Sequence, residues 1–333
     1  MRTHCMRFCL RLILGAALAL PLLRAYRVFG QGTGGKPATG AAAAPKTVAS
    51  APATIASALP IKLSPDASGP VPQEQIRELF RYAQEKEFEN EKRLRDYTYI
   101  ERDEEHKLDG SGRVKKVESR TLEVLEIYGE PVERLIARDD KPLPPEEARK
   151  EDEKIQKLID KGKNESEKER RKRLEKEEKE HEEDRKFVLE IADAFNFHLV
   201  GSEVLDGRDT WVIDAEPRPG YQAKERSTRL LSKFKGRVWI DKAEGQWLRF
   251  DITAIDTVSI GWFLARIHKG AHIVAEQTKV NDEVWLPKHV AVEVDIRLAL
   301  LKNINADVDQ TFRDYKKFRT DSKITVVGVE SRQ

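Results

Sequence analysis

Apolar and polar residues alternate most clearly late in the chain. Val290, Val292, Val294, Ile296, Leu298 and Leu300 share one parity, while His289, Glu293, Asp295 and Arg297 share the other. A period of two places such sets on opposite faces of a strand. Leu248, Phe250, Ile252 and Ala254 repeat the pattern one hairpin earlier. The same signal predicts strands over residues 197–205, 210–215, 237–241, 246–255, 261–280, 284–301, 305–319 and 323–329, with turns at Asp206-Gly207 and around Gly245. Upstream, strand chemistry begins at Tyr97-Thr98-Tyr99-Ile100. Asp109-Gly110-Ser111-Gly112 supplies hairpin-turn positions, and residues 114–128 and 132–138 read as two further strands.

The helical period occurs in two places. Over residues 73–95, Ile76, Leu79, Phe80, Ala83, Phe88 and Leu94 form an imperfect apolar stripe among Glu, Lys and Arg. Between residues 144 and 186 roughly thirty of some forty residues are charged, with Glu/Lys and Glu/Arg pairs four apart that favour helix. Apolar residues stand only at the ends of that segment, Ile155, Leu158 and Ile159 early and Phe187, Val188 and Ile191 late. A solvated helix or helix pair projecting from the domain is the expectation, with Gly162 and Asn164 weakening it midway. A partner-binding coiled coil is the alternative, against which stands the want of sustained heptads. The expected fold is mainly β (α+β): a curved antiparallel half-open barrel of about ten or eleven strands over residues 73–330, with an N-terminal helix and a charged helical insertion at 144–194.

The first thirty residues hold five arginines, no acid, and an apolar run from Leu12 to Leu23. A basic stretch before a run of about twelve apolar residues reads as a cleavable secretory signal, since a spanning helix needs about twenty. Residues 1–30 are therefore expected to be removed on export, leaving no transmembrane anchor and a periplasmic protein. Cys5 and Cys9 both precede the apolar run, so the exported chain would have no thiol, disulfide or cysteine-bound zinc. Loss of five arginines takes the formal net charge from +2 to −3, which gives no reason to expect a nucleic-acid partner. Residues 31–72, rich in Ala, Gly and Pro with few bulky apolar groups, read as a disordered linker.

Signatures of chemistry are weak. Gly30-Gln31-Gly32-Thr33-Gly34-Gly35-Lys36 has the glycines of a phosphate loop but no buried strand before it, and Pro37 where a magnesium-binding hydroxyl belongs. His268, His272 and Glu276 would share a helix face, yet in a strand each step of four spans about 13 Å, too far for one metal ion. His181-Glu182 is followed by Arg185 where a zincin needs its second histidine. No nucleophile elbow occurs, and acids such as Asp251, Asp256, Glu293 and Asp295 suit a solvated strand face. A non-catalytic protein without cofactor or metal is expected. Trp211, Trp239, Trp247, Trp262 and Trp285 all fall in predicted strands, as core packing or as the lining of an apolar groove.

Gly236-Arg237-Val238-Trp239-Ile240-Asp241, then Trp247-Leu248-Arg249-Phe250, then Val280-Asn281-Asp282-Glu283-Val284-Trp285-Leu286-Pro287, and finally Tyr315-Lys316-Lys317-Phe318 form a succession. It resembles the superfamily of the lipoprotein carriers LolA and LolB and the periplasmic sensor RseB. The resemblance is good over residues 195–319 and reaches residues 73–138 in element order only. It implies a half-open barrel of about eleven strands with helices lying in the concave face over an apolar cavity; the charged insertion departs from the small carriers. The implied role is carriage or sensing of lipid or lipoprotein acyl chains, and the alternative is an envelope protein–protein interaction module using the same fold and the charged helical arm. From the alternating stripes, Leu248, Phe250, Ile252, Val292, Val294 and Ile296 are the candidate lining residues. The same side chains could instead fill a closed core beneath the helices.

Overall fold

The computed structural model describes residues 63, 70–109, 111–225, 227–260, 265–298 and 302–318. The signal segment with Cys5 and Cys9, nearly all of the linker, Trp262 and the strand expected at 323–329 lie outside the described residues. Among the described residues, no helix is long and apolar enough to cross a membrane.

Helix α1 (Gln73–Leu94) is followed by β1 (Tyr97–Leu108), β2 (Val114–Ile127), β3 (Glu130–Arg138) and the short β4 (Lys141–Pro142). Helices α2 (Pro145–Lys163) and α3 (Glu167–Ala194) come next, then β5 (Phe195–Leu205), β6 (Arg208–Pro217) and a 3-10 segment at Ser227–Lys233. The remainder is β7 (Phe234–Asp241), β8 (Trp247–Ala254), β9 (Val258–Ile260), β10 (Ala265–Ile267), β11 (His272–Val280), β12 (Val284–Leu298) and β13 (Lys302–Lys317).

One antiparallel sheet holds them in the order β4-β3-β2-β1-β13-β12-β11-β8-β7-β6-β5, with β10 paired to β12 and β9 to β10. The ends of this path, β4 and β5, do not pair with each other, so the barrel is half-open. Two meanders are thus joined by the first and last strands, Tyr97 facing Lys317 and Glu104 facing Asp309. Hairpin turns carry left-handed residues that suit strand twist: Tyr128-Gly129, Asp139-Asp140, Asp206-Gly207 and Asn281-Asp282. The single strand expected over residues 261–280 is interrupted, because Gly270 at φ +94° turns the chain between β10 and β11.

β4 and β5 are consecutive strands at opposite edges of the sheet, and the charged segment is what carries the chain from one to the other. It does form a helix pair, capped at its second start by a reciprocal Ser166–Glu169 box. The expectation that it projects into solvent is corrected. Ile155 is 1% exposed, the Arg134 and Arg138 guanidiniums of β3 pair with Asp152 and Glu147, and Phe187 is buried in the core. Gly162 is a close-approach residue, since a Cβ there would lie 2.2 Å from the Tyr128 ring. The aspartate that ends the Gly-x-Val-Trp-Ile-Asp motif also has a structural cause. Asp241, 1% exposed, accepts from Arg208 Nε at 2.7 Å and from the backbone N–H of Ala243 and Glu244, fixing the β7–β8 turn.

Candidate functional site: an apolar cavity under two helices

Register places Val238, Phe250, Ala275, Val290, Gln310, Asp103 and Arg120 in one row across seven strands. The row is apolar as far as β12 and then turns polar. Gln310 Nε2 donates to Asp103 Oδ1 at 2.7 Å, and Arg120 pairs with Asp103 Oδ2 at 2.9 Å. In this row the apolar side chains lie on the β7–β12 side. Phe80 and Ala83 of α1, Val188 and Ile191 of α3, and the β7–β8 residues beneath them line a partly open cavity of about 180 Å³. It exists because small residues meet there: Ala215 faces Gly236 across β6 and β7, and Ala83 sits above on α1. A Cβ on Gly236 would lie 3.0 Å from the Asp251 carbonyl oxygen and 3.3 Å from Ile252 Cγ1. The cavity's exposed walls are almost wholly hydrocarbon, so it suits an apolar guest.

The six candidate residues separate into three groups. Phe250 and Ile252 line the cavity. Leu248, 2% exposed, is not among its lining residues: Trp239 pairs with Arg249 and Ile240 with Trp247, so Leu248 is the extra residue of a bulge. That shift brings Trp247 into phase with Phe250, their rings 4.7 Å apart, and makes Trp247 a lining residue. Val292 and Val294 belong to a closed apolar cluster with Ile267, Ile273 and Phe312 and do not border the cavity. Ile296 pairs with Ile267 and Ile304 in the sheet, and its side chain lies outside the described residues. The contributions of Trp247, Val188 and Ile191 escaped the alternation, whereas Phe80 was visible in the helical stripe. Of the other tryptophans, Trp239 takes Arg249 over its ring at 5.2 Å and donates to Glu203, away from the cavity.

Helix α1 is fixed to the sheet by polar contacts at both ends. Gln73 exchanges hydrogen bonds with the backbone of Phe197. Toward the other end, Glu87 accepts from Gln246 Nε2 at 2.9 Å and from Gln277 Nε2 at 2.8 Å, and Asn90 Nδ2 donates to Gln246 Oε1 at 3.0 Å. Burial pushes the Glu87 carboxyl up, against the opposing pull of these amide donors. Such a network is satisfied only with the helix in place.

A second, smaller cavity of about 50 Å³ lies between the end of α1, β1 and β2. Glu126 borders it with Oε1 buried and without a partner among the described residues. Burial raises its carboxyl from 4.5 to about 7, opposed by Arg95 and reinforced by Glu130 and Glu177. A folded pKa above the unfolded value means that the native state holds the extra proton between those limits. This group's stabilisation is complete below about 4.5 and is lost as pH rises through about 7. The loss should be about 2 kcal/mol after solvent screening of a partly exposed group. Glu126→Gln should flatten the fall in melting temperature between pH 5 and pH 8; equal slopes in parent and variant would contradict this role.

No protein-family model matches the sequence, and no curated protein matches it. Solved structures do. An outer membrane lipoprotein-sorting protein domain from Vibrio parahaemolyticus is similar at 13% identity over 74% of this chain and 95% of its own, with a TM-score of 0.29. A LolA superfamily protein from Nitrosomonas europaea matches at 8% identity over 73% of this chain and 93% of its own, with a TM-score of 0.29. MucB, solved in complex with MucA, matches at 11% identity over 69% and 94%, with a TM-score of 0.19.

Proposed function

We propose that this chain is an exported, non-catalytic protein that binds the acyl chain of a lipid or lipoprotein beneath α1 and α3, as carrier or sensor in the periplasm. The observation that carries this reading is the cavity itself, walled by Phe80, Val188, Ile191, Trp247, Phe250 and Ile252. Burial of an acyl chain contributes about 0.8 kcal/mol per methylene. The helices α1 and α3 lie over part of the same apolar wall. Helix and ligand then compete for one apolar surface, and uptake and release need no covalent step.

A second reading, an envelope module gripping a protein, is favoured by the edge strand β5. Among the described residues it has strand pairing on one side only, and Val200 and Val204 are 48% and 70% exposed on it. Added strands bind such edges. Native mass spectrometry of protein purified gently from its own envelope decides between the two. Acyl-lipid mass on the monomer is the expected result. A ligand-free chain in a stable complex with another protein would instead support the second reading.

A further inference from the structure

The two edges of the sheet are built differently. β4 is two exposed residues, Lys141-Pro142, and short edges carrying lysine or proline resist further pairing. The second half of β5 reads Val200-Gly201-Ser202-Glu203-Val204, without either residue, and among the described residues no strand pairs with its outer side. Which backbone groups point outward follows from the turn that ends it. Asp206-Gly207, at φ +51° and +77°, is a two-residue hairpin loop, so Leu205 and Arg208 exchange hydrogen bonds while the next pair does not. Val204, opposite Asp209, and Ser202, opposite Trp211, therefore turn their N–H and C=O away from β6. Val200 is the extra residue of a bulge between Leu199 and Gly201. On its far side the N–H and C=O of Phe197 are already taken by the Gln73 side chain of α1. The open stretch is thus bounded by the bulge and the turn.

We propose that this stretch pairs antiparallel with the same stretch of a second copy of the chain, about a two-fold axis at Ser202. A copy is the fitting occupant because the stretch is apolar at both ends and polar at its centre, which is what antiparallel self-pairing matches. With the axis at Ser202, Val204 of one copy, 70% exposed, faces Val200 of the other, 48% exposed, and Glu203 faces Gly201. An axis at Glu203 would instead set two carboxylates directly opposite, which is destabilising. The inference is independent of the acyl-chain reading. An edge this short makes a small interface, so the dimer forms at high concentration and dissociates at the dilution used for native mass spectrometry.

Protein recovered after export is compared with Val204→Lys by sedimentation equilibrium from micromolar to near-millimolar concentration. The parent should pass from monomer to dimer, and the variant should dimerise at least about tenfold more weakly. Its melting temperature should stay within a few degrees of the parent's, because Val204 is exposed. The register is read by oxidation, with Cys5→Ser and Cys9→Ser in each chain. Ser202→Cys, on the axis, should form a disulfide-linked dimer at least about tenfold faster than Ser111→Cys on the exposed β1–β2 turn. Amide exchange at Ser202 and Val204 should be fast in dilute protein and slow as concentration rises. A parent that stays monomeric throughout would overturn the proposal and leave the edge to a different protein. Dimerisation unchanged by Val204→Lys, or equal oxidation rates for the two cysteine variants, would place the contact elsewhere. Protection of both amides at every dilution would mean that the chain's own residues cover the edge, which would overturn it too.

Discussion

Val294→Asp should strongly destabilise the domain at neutral pH. Val294 is 7% exposed, faces fully buried Ala306 across β12 and β13, and shares its cluster with Ile267, Ile273, Val292 and Phe312. Its neighbours in that cluster are hydrocarbon, so the new carboxylate would be buried among apolar groups or would have to bind a proton. An uncompensated buried charge destabilises by about 3–5 kcal/mol, a large share of the 5–15 kcal/mol typical of a whole domain. Circular dichroism melts would show the loss directly. A folded variant melting within a few degrees of the parent would mean that Val294 faces water, as it would in an open groove, and would undo the assignment of β12 to closed core.

What alternation revealed, and what it could not, follows from the geometry of single residues. Parity along 290–300 and 248–254 exposed the strands and their apolar faces, because a sheet with one buried face prints its period of two on the sequence. Parity could not say which stretch of that face meets a helix, a β-hairpin or a void. Val292 and Val294 pack in a filled cluster, Phe250 and Ile252 meet the cavity, and all four obey the same alternation. The bulge at Leu248 reverses the parity of the residues before it and hid Trp247, since alternation counted back from Phe250 puts position 247 on the other face. Pairing of β1 with β13 is a contact across more than two hundred residues with no local signal. In the charged segment the buried ends were legible from Ile155 and Phe187. Its course between opposite sheet edges was not, because that depends on where β4 and β5 fall in the strand order.

The void itself depends on small residues, and that makes it testable without unfolding the protein. Ala215 lines the cavity on β6 and is paired with Gly236, so a larger side chain there grows into empty space rather than into packed core. Overpacking a filled site costs about 1–3 kcal/mol, whereas filling an existing cavity should cost less. Ala215→Phe should therefore keep the parent's melting temperature within a few degrees while displacing the guest.

The decisive measurement is a titration of parent and Ala215→Phe with one fluorescent fatty-acyl probe under identical conditions, after both are shown to melt cooperatively. Saturable binding to the parent, weakened at least tenfold in the variant, is the predicted result; that ratio corresponds to about 1.4 kcal/mol. Equal affinity in the two folded proteins, or no saturable binding to the parent, would contradict acyl-chain binding beneath α1 and α3.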